Sequence, residues 1–235
     1  MRELTAVLLC GGKGERLLPL TKRLPKPLVP LKGRPILAHI MHYLAASGLR
    51  RFVVCVGYRA RTIQKAIGGF ADRSWEVACV DSGDVSMTDR LLDVRPWVPG
   101  RALICYGDTL ANVDVATLVH HHERCGGEVT MTVYPLHSPF GIVQFDPAHR
   151  VSSFAEKPVL PHWINIGFML WEAAAFDRLR QGSDMPDFLA SVAGAGRLFA
   201  YPHRGKHLTV NTEGDRVQAE RHVVEFLTLL ERQEI

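Results

Sequence analysis

The chain predicts an α/β fold, a Rossmann-like mixed, mainly parallel sheet flanked by helices. Three observations carry this expectation. Apolar runs of strand length alternate with segments of helical apolar spacing up to about residue 127. The first run breaks at a glycine-rich turn, Gly11-Gly12-Lys13-Gly14, the arrangement that makes an anion nest behind a buried strand. From Glu128 onward short strands follow one another between turn residues, so the alternation stops. No linker, repeat or low-complexity segment separates the two patterns. Residues 1–235 are therefore expected to form one domain, with 128–235 completing the sheet that 1–127 begins.

Element by element, Ala6 to Cys10 has the length and composition of a fully buried strand. Pro35 to Ser47 places Ile36, Leu37, Ile40, Met41 and Leu44 at helical spacing, with Pro35 at the first helical position and Gly48 at the stop. Arg51 to Val56 is a strand, Ala60 to Ile67 a helix, Val77 to Val80 a strand and Ala102 to Tyr106 another buried strand. A helix follows from about Val113 to Cys125. Val129 to Tyr134, Ile142 to Phe145, Val151 to Ala155 and Ile166 to Leu170 are short strands. Helices are expected at Ala173 to Leu179 and Pro186 to Ala193, then strands at Leu198 to Tyr201 and Leu208 to Asn211. An amphipathic helix from Glu213 to about Arg232 closes the chain, with Thr212 and Asp215 spaced as a capping box.

Ligands of parallel sheets sit beyond the carboxyl ends of the strands. The loop after Cys10, the Asp81-Ser82-Gly83-Asp84 loop and the Gly107-Asp108 turn all fall there and are expected to converge. The first of these also carries Lys13, Arg16, Lys22, Arg23 and Lys26, against Glu15 as the acidic counterweight, which outlines a polyphosphate cradle. A P-loop would need a Gly-Lys-Ser/Thr ending, and a dinucleotide fingerprint a third glycine opening a helix directly; neither is present. Pro25 and Pro27 flank Lys26 and are expected to hold it extended, with little entropy left to lose. A lysine immobilised in this way suits a phosphate whose charge grows in a transition state. Asp108, at the carboxyl end of a buried strand and preceded by Gly107, is placed to hold a hard cation such as Mg²⁺ against phosphates.

Composition narrows the alternatives. The net charge of +4 is modest, and its basic residues crowd one loop rather than forming a stripe with interleaved aromatics, which favours small anionic ligands over nucleic acid. No apolar run approaches the roughly 20 residues of a membrane span, and the N-terminus has no signal-like region, so a cytoplasmic protein without membrane partners is expected. Of the five cysteines, Cys10, Cys55, Cys79 and Cys105 fall in strands, and no pair has CxxC spacing. His120-His121-His122 cannot converge on one ion from a helix, whose adjacent residues diverge by about 100°.

Gly-Gly-x-Gly-x-Arg-Leu followed by Pro25-Lys26-Pro27 resembles the opening motif of the sugar-1-phosphate nucleotidyltransferases, and the resemblance continues through most of the chain. Val80-Asp81-Ser82-Gly83-Asp84-Val85-Ser86-Met87-Thr88 is similar to a stretch of the glucose-1-phosphate cytidylyltransferase branch; here Asp89 stands in place of Gly-Gly, shortening the loop before Arg90-Leu91. Pro139-Phe140-Gly141, Glu156-Lys157-Pro158 and Trp163-Ile164-Asn165-Ile166-Gly167-Phe168 follow in the family order. Ile166 replaces a glycine of that branch and is expected to narrow the sugar pocket.

The resemblance implies the nucleotide-diphospho-sugar transferase fold, with residues 1–127 binding the nucleotide and 128–235 the sugar phosphate. It implies an NTP (CTP in this branch) and a sugar 1-phosphate as substrates, with Mg²⁺ as cofactor. Nucleotide contacts are implied for Leu9, Gly11, Gly12, Gly14, Glu15, Arg16, Lys26, Asp81, Ser86, Met87, Thr88, Arg90 and Gly107. Sugar-phosphate contacts are implied for Gly141, Glu156, Lys157 and Asn165. The metal ligands would be Asp108 and, near the C-terminus, Asn211, where the cytidylyltransferases have Asp and the N-acetylglucosamine-1-phosphate uridylyltransferases a Val-Asn pair. Arg16, Lys26 and Asp108 are the expected catalytic set. UTP, dTTP or GTP, a heptose, cyclitol or alkyl phosphate or phosphonate acceptor, and a non-catalytic nucleotide-sugar sensor stay as alternatives, and a homo-oligomer stays open. The short tail after the last helix leads us to expect no C-terminal β-helix domain of the kind some relatives carry.

Overall fold

The computed structural model describes residues 4–231. The strands are β1 (Thr5–Leu9), β2 (Pro30–Leu31), β3 (Arg34–Pro35), β4 (Arg51–Val56), β5 (Glu76–Asp81), β6 (Ala102–Tyr106) and β7 (Thr109–Ala111) in the first half. They continue as β8 (Val129–His137), β9 (Ile142–Phe145), β10 (Val151–Ala155), β11 (Val159–Trp171), β12 (Leu198–Pro202) and β13 (His207–Thr209). The α-helices are α1 (Ile36–Ala46), α2 (Ala60–Phe70), α3 (Met87–Val94), α4 (Val115–Cys125), α5 (Ala173–Asp177), α6 (Met185–Gly194) and α7 (Glu213–Glu231). Arg232, where the sequence places the end of the last helix, lies outside the described residues.

The apolar runs assemble into one seven-stranded sheet of order β12-β8-β11-β6-β1-β4-β5. β1 pairs in parallel with β4 and β6, β4 with β5, and β8 with β12, while β11 runs antiparallel between β6 and β8. Both halves of the chain thus contribute to the sheet, which is mixed and mainly parallel as expected. Side chains on β1 alternate between two cores because successive strand residues face opposite sides. Ala6 and Leu8 join the layer formed with α1, α2, α4 and α7, whereas Val7 joins Leu91 of α3, Phe176 of α5 and Phe188 of α6. On that second side Trp171 is fully buried and stacks on Phe188 at 4.6 Å; truncation of such a residue to Ala costs about 3–5 kcal/mol.

Several local expectations shift. Lys26 opens a 3-10 turn over Lys26–Leu28 instead of lying extended, with the Leu28 N–H donating to the Pro25 carbonyl at 2.8 Å. Burial of Leu28 and Val29 imposes that turn, overriding the preference of a pre-proline residue for extended backbone. Pro35 occupies the N-cap position, and α1 begins at Ile36. β11 is far longer than the Ile166–Leu170 segment the sequence marks, because its more exposed first half pairs with the end of β8 beyond the core. The short β2-β3 ribbon has no signature of its own in the sequence, nor has β7; β13 overlaps the strand expected at Leu208 to Asn211, and its pairing with β7 brings the segment before Asn211 beside the one after Asp108. The Thr212–Asp215 capping box forms, Asp215 N–H donating to Thr212 Oγ1 at 3.1 Å and Thr212 N–H to Asp215 Oδ2 at 2.9 Å.

Candidate active site

The carboxyl ends of β1, β5 and β6 do converge. A cavity of about 550 Å³ opens there, within the usual range for small-molecule sites. Its walls include Leu9, Gly11, Gly12, Gly14, Glu15 and Arg16 from the glycine turn, Lys26, Met87 and Arg90, and Gly107 and Asp108 from the end of β6. Gly14 has φ 66°, a left-handed conformation that favours glycine, and a Cβ there would press on Lys26 and Thr21 at 3.0 and 3.1 Å. Gly107 is needed for a different reason: a Cβ would overlap Cys10 Sγ where the two turns cross.

At the cavity floor Lys26 is buried, and its Nζ donates to Asp108 Oδ2 at 2.5 Å and to Asn211 Oδ1 at 2.8 Å. Asn211 is held in that orientation by its Nδ2, which donates to Thr209 Oγ1 at 3.2 Å. Asp108 makes no helix cap; Asp114 caps α4, accepting from Thr117 N–H at 2.9 Å. A carboxylate and an amide carbonyl that share one ammonium are close enough to share one cation, and both are the hard oxygen donors that Mg²⁺ takes. The residues present therefore fit such an ion. Among the described residues no cluster of three or more His, Cys, Asp or Glu side chains offers a rival metal site. His121 and His122 point to separate partners, Ala200 O and the Thr130–Glu172 pair.

Not every basic residue of the turn reaches the cavity. Lys13, Arg16 and Lys26 line it; Lys22 and Arg23 are exposed elsewhere, with the Lys22 carbonyl accepting from Arg59 Nη2 at 2.5 Å. Arg16 is exposed and has no side-chain partner among the described residues. Across the mouth Lys13 pairs with Asp84 at 2.6 Å. Their hydrogen bond raises the Lys13 ammonium above its ordinary range and lowers the Asp84 carboxyl below its own. Cys10 is no nucleophile, since burial first, then the neighbouring Cys55 and Asp108, pushes its thiol well up.

The Asp81–Arg90 segment divides. Met87 faces the cavity, while three neighbours are occupied elsewhere. Asp81 Oδ1 accepts from Gly83 N–H at 3.0 Å, Ser86 caps α3 by accepting from Asp89 N–H at 3.1 Å, and the buried Thr88 donates to Ser183 O. Asp89, expected in a shortened loop, lies in the first turn of α3 and accepts from Gly182 N–H at 2.8 Å. Arg90 lines the cavity floor, but its guanidinium is spent on backbone carbonyls of Val56, Gly83 and Gly11 at 2.8, 2.8 and 3.4 Å.

The second half lies differently. Gly141, Glu156 and Lys157 do not line this cavity; they sit on exposed chain around the β9-β10 ribbon, whose strands pair only with each other. That ribbon does bring Gly141 and Glu156 together, a Cβ on Gly141 lying 3.1 Å from Glu156 Oε2. Asn165 accepts from Gly167 N–H at 2.8 Å. Tyr106, which the sequence reading missed, lines the cavity, and its ring packs against Gly167 so closely that a Cβ there would overlap it. Its signal was present: an aromatic residue directly before the Gly107-Asp108 turn. Ile166, expected to narrow a pocket, is buried in the core with Phe168 and Val210, because its position on β11 faces the helices.

A mainly parallel sheet with a glycine turn, a lysine and a carboxylate over its carboxyl edge is the layout of a nucleotide-handling transferase. The chain belongs to the nucleotidyl transferase family, whose pattern matches residues 5–193. Among its relatives, glucose-1-phosphate cytidylyltransferase of Salmonella typhi is 31% identical, with 92% of this chain and 94% of that protein covered. A probable glucose-1-phosphate cytidylyltransferase of Bacillus subtilis is 28% identical over 88% of this chain and 91% of its own length. Mannose-1-phosphate guanylyltransferase of Mycobacterium tuberculosis is 30% identical over 78% of this chain and 53% of its length. The fold matches a crystal structure of a putative glucose-1-phosphate thymidylyltransferase from Bacillus anthracis with TM-score 0.76 at 17% identity, covering 93% of this chain and 94% of the other. No helix among the described residues is long and apolar enough to cross a membrane.

Proposed function

We propose that the protein transfers a nucleotidyl group from an NTP, CTP first among the candidates, to a sugar 1-phosphate with release of pyrophosphate. The observation that carries this is the Lys26 ammonium held between Asp108 and Asn211 at the floor of a glycine-lined cavity. An oxygen of the acceptor phosphate attacks the α-phosphorus, and the bond to the β-phosphate oxygen breaks. The acceptor is already an anion at neutral pH, so no general base is required. What must be supplied is fixed positive charge that lets two anions meet and that receives the charge developing on the leaving pyrophosphate.

Lys26 and Arg16 supply that charge from the side chains, and the glycine turn supplies N–H donors. Mg²⁺, held by Asp108 and Asn211, would add Lewis-acid polarisation of the phosphate oxygens when bound. The exposed guanidinium of Arg16, without a side-chain partner among the described residues, is available to the triphosphate at the cavity wall. Gly141, Glu156, Lys157 and Asn165 form the acceptor side, with Glu156 suited to sugar hydroxyls and Lys157 to the acceptor phosphate. CTP is favoured by the near full-length likeness to proteins named as cytidylyltransferases; the guanylyltransferase likeness keeps GTP as the second candidate.

A matrix of CTP, UTP, dTTP and GTP against hexose 1-phosphates, heptose 1-phosphates and alkyl phosphates, read as pyrophosphate release with and without Mg²⁺, tests the proposal. The expected result is Mg²⁺-dependent turnover that is fastest with CTP. Magnesium-independent nucleotide binding without turnover in any cell of the matrix would replace the enzyme by a sensor.

A further inference from the structure

We propose that Arg90 is a positioning residue that acts through the backbone, aiming two loop N–H groups into the cavity from beneath. This rests on the nucleotidyl transfer proposed above. Arg90 is 5% exposed, and its donors go to backbone carbonyls at the ends of three strands rather than to a carboxylate. Burying a guanidinium is costly unless its N–H groups are bonded, and here they join Gly11 after β1, Val56 at the end of β4 and Gly83 after β5. The Gly11 carbonyl is held a second time, by Tyr58 N–H at 3.2 Å.

The consequence follows from peptide geometry. In a trans peptide the C=O of one residue and the N–H of the next point in opposite directions. With the Gly11 carbonyl turned down onto Arg90, the Gly12 N–H is turned away from it, on the side where Gly11 and Gly12 line the cavity. With the Gly83 carbonyl turned onto the same guanidinium, the Asp84 N–H is likewise turned away, and Asp84 also lines the cavity. One planar fork therefore sets the orientation of two peptides 72 positions apart, which a lysine, as a single point donor on a flexible stem, cannot reproduce. Space at this junction is already used up. A Cβ on Gly11 would overlap the Arg90 guanidinium, and a Cβ on Gly57 would overlap both the Gly83 carbonyl oxygen and Arg90 Nη1.

Two variants test the clamp from opposite sides: Arg90→Lys removes the fork, and Gly57→Ala wedges it apart with Arg90 retained. Amide hydrogen exchange of the free protein should accelerate at least about tenfold at both 11–14 and 82–85, with β1, β4 and β6 unchanged. In turnover, kcat should fall by about 10- to 100-fold while the KM for the NTP moves by less than about threefold, because the N–H groups matter to charge developing in the transition state. The proposal is overturned if both segments exchange as in the wild type, or if only one of them responds. It is also overturned if the whole sheet loosens evenly, or if the KM rises with kcat intact, as for a direct nucleotide ligand. A wild-type protein that turns over no NTP and acceptor pair would sink nucleotidyl transfer, and the exchange measurement would still decide the clamp.

Discussion

The two sides of the molecule are built to different standards of order. On the β1-β4-β5-β6 side, candidate site groups are tied to one another over long sequence distances: Lys26 to Asp108 and Asn211, Arg90 to three loops, Lys13 to Asp84. On the β8-to-β11 side, Glu156 and Lys157 stand exposed on a two-stranded ribbon whose Phe145, Val151 and Phe154 are more than 60% exposed. The contrast suits the nucleotidyl transfer proposed above. A triphosphate needs charges fixed in advance, since reorganising them during reaction would raise the barrier. A sugar needs hydroxyl contacts, and those can be completed when it arrives.

The largest effect should come from breaking the ordered side. Lys26→Ala and Asp108→Asn should each keep the circular dichroism of the wild type yet lose about 10²–10³ in pyrophosphate release, the usual cost of one charge-stabilising group. Near-wild-type turnover in either would remove the basis for the contrast.

Next in size is the response to acid. His207, on β13, packs at a tilt against Tyr134, ring centroids 5.0 Å apart, and burial, then the neighbouring His203, lowers its imidazole to about 4. Burial also lowers His39, His122 and His203. Below its ordinary 6.5 the unfolded chain takes up a proton that folded His207 refuses until about pH 4, so stability is full above pH 6.5 and is lost as the pH falls. Urea unfolding should show His207 alone costing ~3 kcal/mol between pH 7 and 4, with a shallower slope in His207→Gln. An equally steep slope in that variant would move the effect elsewhere.

On the exposed side, Glu156→Gln should raise the KM for the sugar 1-phosphate about tenfold, leaving the NTP KM within about twofold and the melting temperature within about 1 °C. A comparable loss of NTP binding would show that the ribbon belongs to the nucleotide side after all. The smallest effect is at the mouth. Asp84→Ala frees Lys13 for phosphate, so the NTP KM should fall about two- to threefold at low salt, an effect that fades as ionic strength rises. An unchanged KM at low salt would leave the Lys13–Asp84 pair without influence on the cavity.

Much of this was legible in the residues before any fold was drawn. Apolar runs and helical spacing locate the main strands and helices because burial of one face is a local, periodic demand. The glycine turn and Asp108 are legible because each occupies the carboxyl edge of a predicted strand, where ligands collect. Three matters were settled elsewhere, by the packing of distant segments. The Lys26 partners lie 82 and 185 positions away, and nothing near Pro25-Lys26-Pro27 names them. Arg90 sits in a motif that suggests a nucleotide contact, yet the carbonyls of three strand ends consume its donors. Ile166 and Thr88 sit in suggestive stretches, but the face of β11 and the N-terminal turn of α3 send both inward. Spacing along a chain specifies what a residue can offer; which neighbour accepts the offer depends on how the sheet closes around it, and that is a property of the assembled whole.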